Sequence, residues 1–224
     1  MAISKWTPDV LLGRRLNTVE AKNAPAVLYS SGPMRIPLPG PRVAIVGTRT
    51  PDPESVADAK TIVRALTRRG AVIVSGLAKG IDTAAHREAI DTGGKTIAVL
   101  GTPLDRSYPA ENANLQAEII KKHLAVSQFK VGDEAFPGNF IRRNRTMALI
   151  ADASVIVQAG ETSGSISQGY EALRLGRPLF IWKRLWESKL NWPKEMEKFG
   201  AVRLSDPEEL LEGLPGQGVL QISA

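Results

Sequence analysis

An α/β fold is what the sequence predicts: a doubly wound, mostly parallel sheet with helices on both faces. Three observations carry this expectation. Short apolar runs alternate along the chain with longer amphipathic runs. The apolar runs are rich in β-branched residues and do not alternate with polar ones, the pattern of strands buried on both faces. Glycines stand where helices of such a repeat end, at Gly70, Gly93 and Gly176.

Taken in chain order, residues 1–40 end in a proline-rich stretch holding Pro33, Pro37 and Pro39, with Pro41 just beyond. They read as a short N-terminal element and an extended linker packed on the domain that follows. Residues 41–214 carry the repeat. Val43–Val46 is the first strand, followed by a turn at Gly47-Thr48-Arg49 and a helix over Glu54–Arg69. Ala71–Val74 is the second strand, and the turn Ser75–Asp82 leads into a helix over Ile81–Thr92. Thr96–Leu100 is the third, with its turn at Gly101-Thr102-Pro103 and a helix over Asn112–Lys122. Leu124–Ser127 is the fourth, and a helix over Phe140–Ala151 follows, with Asn139 read as its N-cap. Ser154–Val157 is the fifth, with a turn over Gly160–Ser165 and a helix over Ser165–Leu175. Pro178–Trp182 is the sixth. Lys183–Pro193 reads as a loop, followed by a short helix and the strand-like Ala201–Leu204. The last helix runs from Pro207 to Leu211, with Asp206 as cap and the proline at its first position. Residues 215–224 read as a frayed tail.

Composition narrows the chemistry. The chain has 224 residues and no cysteine, which excludes disulfides and thiolate catalysis. Two histidines, His86 and His123, make a zinc site a poor expectation. No metal and no cofactor are expected. No apolar run approaches the length of a membrane span, and Met1–Trp6 lacks the apolar core of a signal peptide, so a cytoplasmic protein without membrane contact is expected. The formal net charge of +6 favours an anionic partner, nucleic acid first.

In an open α/β sheet, ligands bind beyond the carboxyl ends of the strands, near the point where strand order reverses. Four glycine- or hydroxyl-bearing turns follow strands here and point to one shared crevice. Glycine matters there because a Cβ blocks the approach of a phosphate to backbone N–H groups. Gly47 belongs to no G-x-G-x-x-G pattern, which disfavours a dinucleotide. The cluster Arg142-Arg143-Asn144-Arg145 falls in the first turns of its helix. Cations are unfavourable at a helix N-terminus unless an anion sits there, so either a phosphate occupies the site or Asp133, Glu134 or Asp152 pairs with them. Arg142 and Arg145 share a face, and Arg143 points elsewhere, across the crevice. Phe140 is either a base-stacking platform or a core residue. His86 reads as a structural histidine bonded to a carboxylate or carbonyl. Glu161 is a lone acid that either contacts a ligand hydroxyl or is solvated. No nucleophilic triad and no carboxylate pair emerges, so no catalytic residue is assigned.

Several segments resemble the DprA/Smf family of DNA-processing proteins. They are Val43–Arg49, Ser75–Asp82 with Ala85-His86, and Thr96–Gly101, then in order Tyr108-Pro109, Asn112, Leu115, Phe140, Arg143-Asn144-Arg145 and Ser163-Gly164-Ser165. The flanks Asn23–Tyr29, Phe199–Val202 and Glu208–Leu211 extend the likeness over about residues 20–212. The resemblance implies a Rossmann-like domain and binding of single-stranded DNA in a basic pocket. It also implies homodimerisation and loading of a RecA-type recombinase, as in natural transformation. By position it assigns DNA or phosphate binding to Gly47, Thr48, Arg49, Ser75, Gly76, Lys79, Phe140, Arg143, Arg145, Ser163, Gly164 and Ser165. Gly80, in the second turn, and Asn144, within the arginine cluster, complete the set. The family usually has Ser at Thr48, Pro at Ile141 and Glu at Gln158. Its Pro-Gly after the sixth strand is replaced by Lys183–Trp186, and no winged-helix or full-size helical domain flanks the repeat, so a minimal member is expected. A nucleotide-binding or phosphoribohydrolase-like module of the wider superfamily is the alternative. Those enzymes place a catalytic glutamate near where Gln168 falls, and an amide cannot act as a general acid or base.

Overall fold

The computed structural model describes residues 2–212 and 214. The tail at 215–224 lies outside them. The chain begins with β1 (Ser4–Trp6), the one-turn α1 (Pro8–Leu12), α2 (Thr18–Asn23) and β2 (Leu28–Ser31). Asn17 caps α2 in a capping box with Glu20, accepting from the Val19 and Glu20 N–H groups at 3.0 and 2.9 Å. The doubly wound repeat follows: β3 (Arg42–Val46), α3 (Pro53–Arg68), β4 (Val72–Ser75), α4 (Ile81–Asp91), β5 (Lys95–Leu100), a 3₁₀ turn (Ala110–Asn112) running into α5 (Ala113–Lys122), and β6 (Leu124–Ser127). Then come α6 (Gly138–Ile150), β7 (Ala153–Ile156), α7 (Gly164–Arg174), β8 (Leu179–Trp182), α8 (Lys183–Trp186), α9 (Trp192–Glu197), β9 (Ala201–Leu204) and α10 (Pro207–Glu212).

The nine strands of the described residues join one sheet in the order β1-β2-β6-β5-β4-β3-β7-β8-β9. The seven from β6 to β9 are parallel neighbours, while β2 runs antiparallel to both β1 and β6. The chain winds outward from β3 to β6, returns through α6 to β7 on the other side of β3, and winds outward again. The reversal therefore lies between β3 and β7. The fold is Rossmann-like, as the sequence predicts.

Alternation within β3 shows how both faces are covered. Val43 and Ile45 pack with Ile62, Val63 and Leu66 of α3 and with Ile81 and Ala85 of α4. Ala44 and Val46 face Met147, Ala148 and Ile150 of α6. A smaller cluster, with Leu115 and Ile119 of α5 over Ala98, Leu100 and Ala125, continues the first layer.

Three local expectations change. The N-terminal stretch contributes two strands to the sheet, because Tyr29, Ser30 and Ser31 pair with Ser127, Val126 and Ala125 along β6. The segment read as a loop from Lys183 opens with α8. Asn139 is no N-cap: α6 starts at Gly138, two residues before the expected Phe140, its N-cap is Pro137, and no side chain caps it.

Candidate functional site

Beyond the carboxyl ends of β3 and β7 lies a cavity of about 510 Å³. Its walls come from the turns after β3, β4 and β7 and from the first two turns of α6. Backbone bonds tie these turns together. The Thr48 N–H donates to the Gln158 carbonyl at 2.7 Å, and the Ile81 N–H donates to the Thr48 carbonyl at 3.2 Å. Gly47 permits this closeness, since a Cβ there meets Ile81 Cγ1 at 2.6 Å and the Gln158 carbonyl at 2.9 Å.

Nine of the fourteen residues expected at the site line the cavity: Gly47, Thr48, Arg49, Phe140, Arg143, Asn144, Ser163, Gly164 and Ser165. Arg49 is exposed, with its guanidinium carbon 5.8 Å from the centre of the half-buried Phe140 ring. Phe140 in turn lies flush on the turn after β5, where a Cβ on Gly101 meets the ring at 2.5 Å. The N-terminus of α7 also lines the cavity. The Ser163 hydroxyl accepts weakly from the Ser165 N–H at 3.4 Å and shares a hydrogen bond with the Ser165 hydroxyl at 2.7 Å. The hydroxyls and the positive end of the helix dipole there suit an anion.

The arginines of α6 part company. Arg143 is buried beneath the crevice, donating from Nη1 to the carbonyls of Gly76 at 2.5 Å and Val99 at 3.0 Å, and from Nε to Asn144 Oδ1 at 3.2 Å. It therefore braces the ends of β4 and β5. Asn144 donates to the Gly164 carbonyl at 3.1 Å and so joins α6 to the start of α7. Arg145 points away from the cavity and pairs with Glu171 at 2.8 Å. Arg142 lies over the Phe129 ring at 5.3 Å. None of the three pairs with Asp133, Glu134 or Asp152 among the described residues, and Asp152 is held by Arg42 at 2.7 Å.

Four further expected residues do not line the cavity. The Ser75 hydroxyl is buried and donates to the Ile45 carbonyl at 2.6 Å, stitching β4 to β3. Gly76 backs the Arg143 guanidinium so closely that a Cβ there falls 1.6 Å from Nη1. Lys79 is exposed and paired with Glu111. Gly80 opens α4 at φ +75° beneath the Thr48 carbonyl.

Two buried polar residues of the wall, Asp82 and Gln168, stand outside the expected set. Asp82 accepts from the Gly76 and Ala78 N–H groups at 3.1 and 3.3 Å. Burial pushes its carboxyl above the ordinary value against the pull of Arg143, and burial lowers Arg143 against the pull of Asp82. The Gln168 side-chain amide donates to Ser154 at 3.4 Å, while its oxygen has no partner among the described residues. A carboxyl in the first turn of a helix that follows a glycine turn is the signal that marks Asp82 in the sequence.

His86 is fully buried and its Nδ1 lies 2.7 Å from the Thr96 hydroxyl. That hydroxyl donates to the Ile73 carbonyl, so it accepts from the histidine. The partner is thus a hydroxyl rather than a carboxylate or carbonyl, and burial lowers the imidazole to about 3. Glu161 is exposed and accepts from the Asn191 N–H at 3.5 Å. Arg184 is taken up by Glu54 and Asp58 at 2.5 and 3.2 Å. Among the described residues, no group of three His, Asp or Glu residues is placed to hold a metal ion, and no helix is long and apolar enough to cross a membrane.

Residues 12–215 match the family model described as DNA recombination-mediator protein A. The DNA processing protein DprA of Bacillus subtilis is 33% identical over 196 residues, covering 87% of this chain and 66% of that protein. Its Streptococcus pneumoniae counterpart is 39% identical over 161 residues, 72% of this chain and 56% of that protein. The chain thus spans about half to two thirds of the length of these relatives. Among solved structures, DNA processing protein A of Streptococcus pneumoniae superposes with a TM-score of 0.79 at 30% identity, over 95% of this chain and 74% of that one. DNA processing protein A from Helicobacter pylori, a structure concerned with its single-stranded DNA binding mode, gives 0.76 at 31% identity, over 94% of each chain. A molybdenum cofactor binding protein from Rippkaea orientalis shares the fold, with a TM-score of 0.55 at 17% identity over 78% of this chain and 94% of that one.

Proposed function

The chain belongs to the DprA/Smf family of DNA recombination-mediator proteins, and we propose that it binds single-stranded DNA in the crevice at the carboxyl ends of β3 and β7. The observation that carries this reading is the exposed Arg49 over the half-buried Phe140 ring, in a cavity that the N-terminus of α7 also lines. A cation and a helix end take phosphates, and the ring offers a π-face to any base. A flexible strand enters such a concavity, whereas a rigid duplex does not. The similarity to the Helicobacter pylori protein supports the same ligand. Gly47, Thr48, Arg49, Phe140, Ser163, Gly164 and Ser165 make the contacts, and Arg143, Asn144, Ser75, Gly76 and Gly80 hold the walls. Lys79 and Arg145 sit outside, their charges taken up by Glu111 and Glu171.

The further steps are part of the same proposal. The protein hands its DNA to a RecA-type recombinase, as in natural transformation, works in the cytoplasm and assembles as a homodimer. It is not an enzyme. Gln168, in the cavity wall, carries an amide where a hydrolase needs a carboxyl group.

Anisotropy titrations with oligo-dT, a duplex of equal length and a mononucleotide, at about 50 and about 200 mM salt, test the reading. Oligo-dT is expected to bind best and to weaken with salt. Equal or better binding of duplex overturns it. Binding of the mononucleotide alone establishes a nucleotide-binding module, a reading favoured by the cavity volume of about 510 Å³. Release of base from nucleoside monophosphates above a buffer control overturns the non-enzymatic reading.

A further inference from the structure

Tyr108 takes no part in the cavity wall, yet it continues the row that begins there. Its ring centre lies 5.0 Å from that of Phe140 at an interplanar angle of 45°. Arg49 covers Phe140 at 5.8 Å. Guanidinium and two rings thus form a row leading out of the crevice along the carboxyl end of β5. Tyr108 is 51% exposed. A lone exposed aromatic needs no explanation, but this one sits on an anchored loop. Asn112 donates to the Leu77 carbonyl at 2.9 Å, Gln116 donates to the Leu104 carbonyl at 3.0 Å, and Thr102 donates to the Arg106 carbonyl at 3.0 Å. The chain on either side of Tyr108 is therefore fixed, so its ring is held in position while open to solvent. Arg106, two residues earlier, is exposed and has no carboxylate partner among the described residues.

We propose that Tyr108 is a second base-stacking platform, and that a single strand leaves the crevice across Phe140 and Tyr108 along the end of β5, with Arg106 near its backbone. This rests on the single-stranded DNA reading above. An anchored ring stacks on any base with little further loss of conformational freedom. The contact is apolar, so it adds affinity without adding to the salt dependence.

The test uses the full chain with an oligo-dT length series, comparing wild type with Tyr108→Ala and Tyr108→Phe and checking each fold by urea denaturation. Tyr108→Ala is expected to lose about tenfold in affinity for oligonucleotides long enough to reach the ring. It should match wild type for shorter ones and keep the wild-type salt slope. Tyr108→Phe should stay within about twofold, since the π-face remains. Equal affinity at every length overturns the proposal, and so does a loss that is the same at every length, which marks a prop for Phe140. A second measurement needs no variant: 2-aminopurine is placed at successive positions of a thymine strand bound to wild type. Two separate quenched positions support two platforms, and one overturns the second. If wild type binds no single strand, both readings fall; if it binds and Tyr108→Ala does not differ, only this one does.

Discussion

Arg49 and Arg143 look alike in a list of basic residues, and their surroundings separate them. Arg49 is exposed over a ring, with no carboxylate partner among the described residues, so Arg49→Ala should leave stability within about 0.5 kcal/mol. It should weaken single-strand binding and lower the salt slope by about 0.7, the share of one phosphate contact; titration at several salt concentrations reads both. Arg143→Ala removes a buried cation from two backbone carbonyls and from Asn144. Charged hydrogen bonds of this kind make a loss of about 3 kcal/mol the expected result in urea denaturation. His86 adds a pH dependence. Its folded value of about 3 lies below the ordinary 6.5, so the unfolded chain binds the extra proton first. The stability that neutral His86 contributes is complete above about pH 6.5 and falls by about 1.4 kcal/mol for each unit below it, down to the folded value. His86→Asn keeps a donor toward Thr96 but cannot be protonated there. The stability gap between wild type and His86→Asn should therefore narrow from about pH 7 to about pH 4. A gap that stays constant would show that another group governs the acid limb.

Among the elements, the start of α4 is the most constrained. Gly80 holds φ +75°, and a Cβ there meets the Thr48 carbonyl at 2.4 Å. Backbone strain and that clash act together, so Gly80→Ala should cost about 2 kcal/mol or more and shift the turn after β3. Thermal denaturation gives the first effect, and altered oligo-dT affinity the second. The same contact explains how much of the site is legible in the sequence. The strand-turn-helix units show in the run of apolar and glycine residues, so Gly47, Thr48, Arg49 and Ser163–Ser165 are found at once. What each turn touches is not local. Ser75 and Gly76 sit in a turn of the right kind, but their partners are the Ile45 carbonyl and Arg143, one from another strand and one from a helix 67 residues away. Strands β1 and β2 escape notice for a related reason. Neither Ser4–Trp6 nor Leu28–Ser31 is an apolar β-branched run, and β2 becomes a strand by pairing with β6 and β1 by pairing with β2.

Across the whole molecule, the N-terminal segment is locked to the repeat by charge. The Glu20 carboxylate, fully buried, takes both Arg14 nitrogens at 2.6 and 2.8 Å and also pairs with Arg177, which follows α7. Its hydrogen bonds to Arg14 hold the carboxyl below the ordinary value against desolvation. Its contribution is therefore present above about pH 4.5 and lost as pH falls through the lower folded value. Glu20→Ala leaves the two arginines facing each other and should cost about 3 kcal/mol. If β1 and β2 fold as one unit with the rest, the urea transition should stay single and move to lower midpoint. A second, earlier transition would show that the N-terminal segment unfolds alone.

The sequence by itself determined the α/β repeat, the six central strands and five major helices, and the glycine- and hydroxyl-bearing turns at the carboxyl ends of the strands. Each of these is set by hydrophobic period and by glycine within one short stretch of chain. Only the tertiary structure decided which cations reach the crevice. Packing put Arg143 underneath it, sent Arg145 to Glu171 and left Arg49 in the open. A guanidinium goes where carbonyls, carboxylates and rings from other elements happen to meet it, and that meeting exists only once the sheet has brought β3, β4 and β7 side by side.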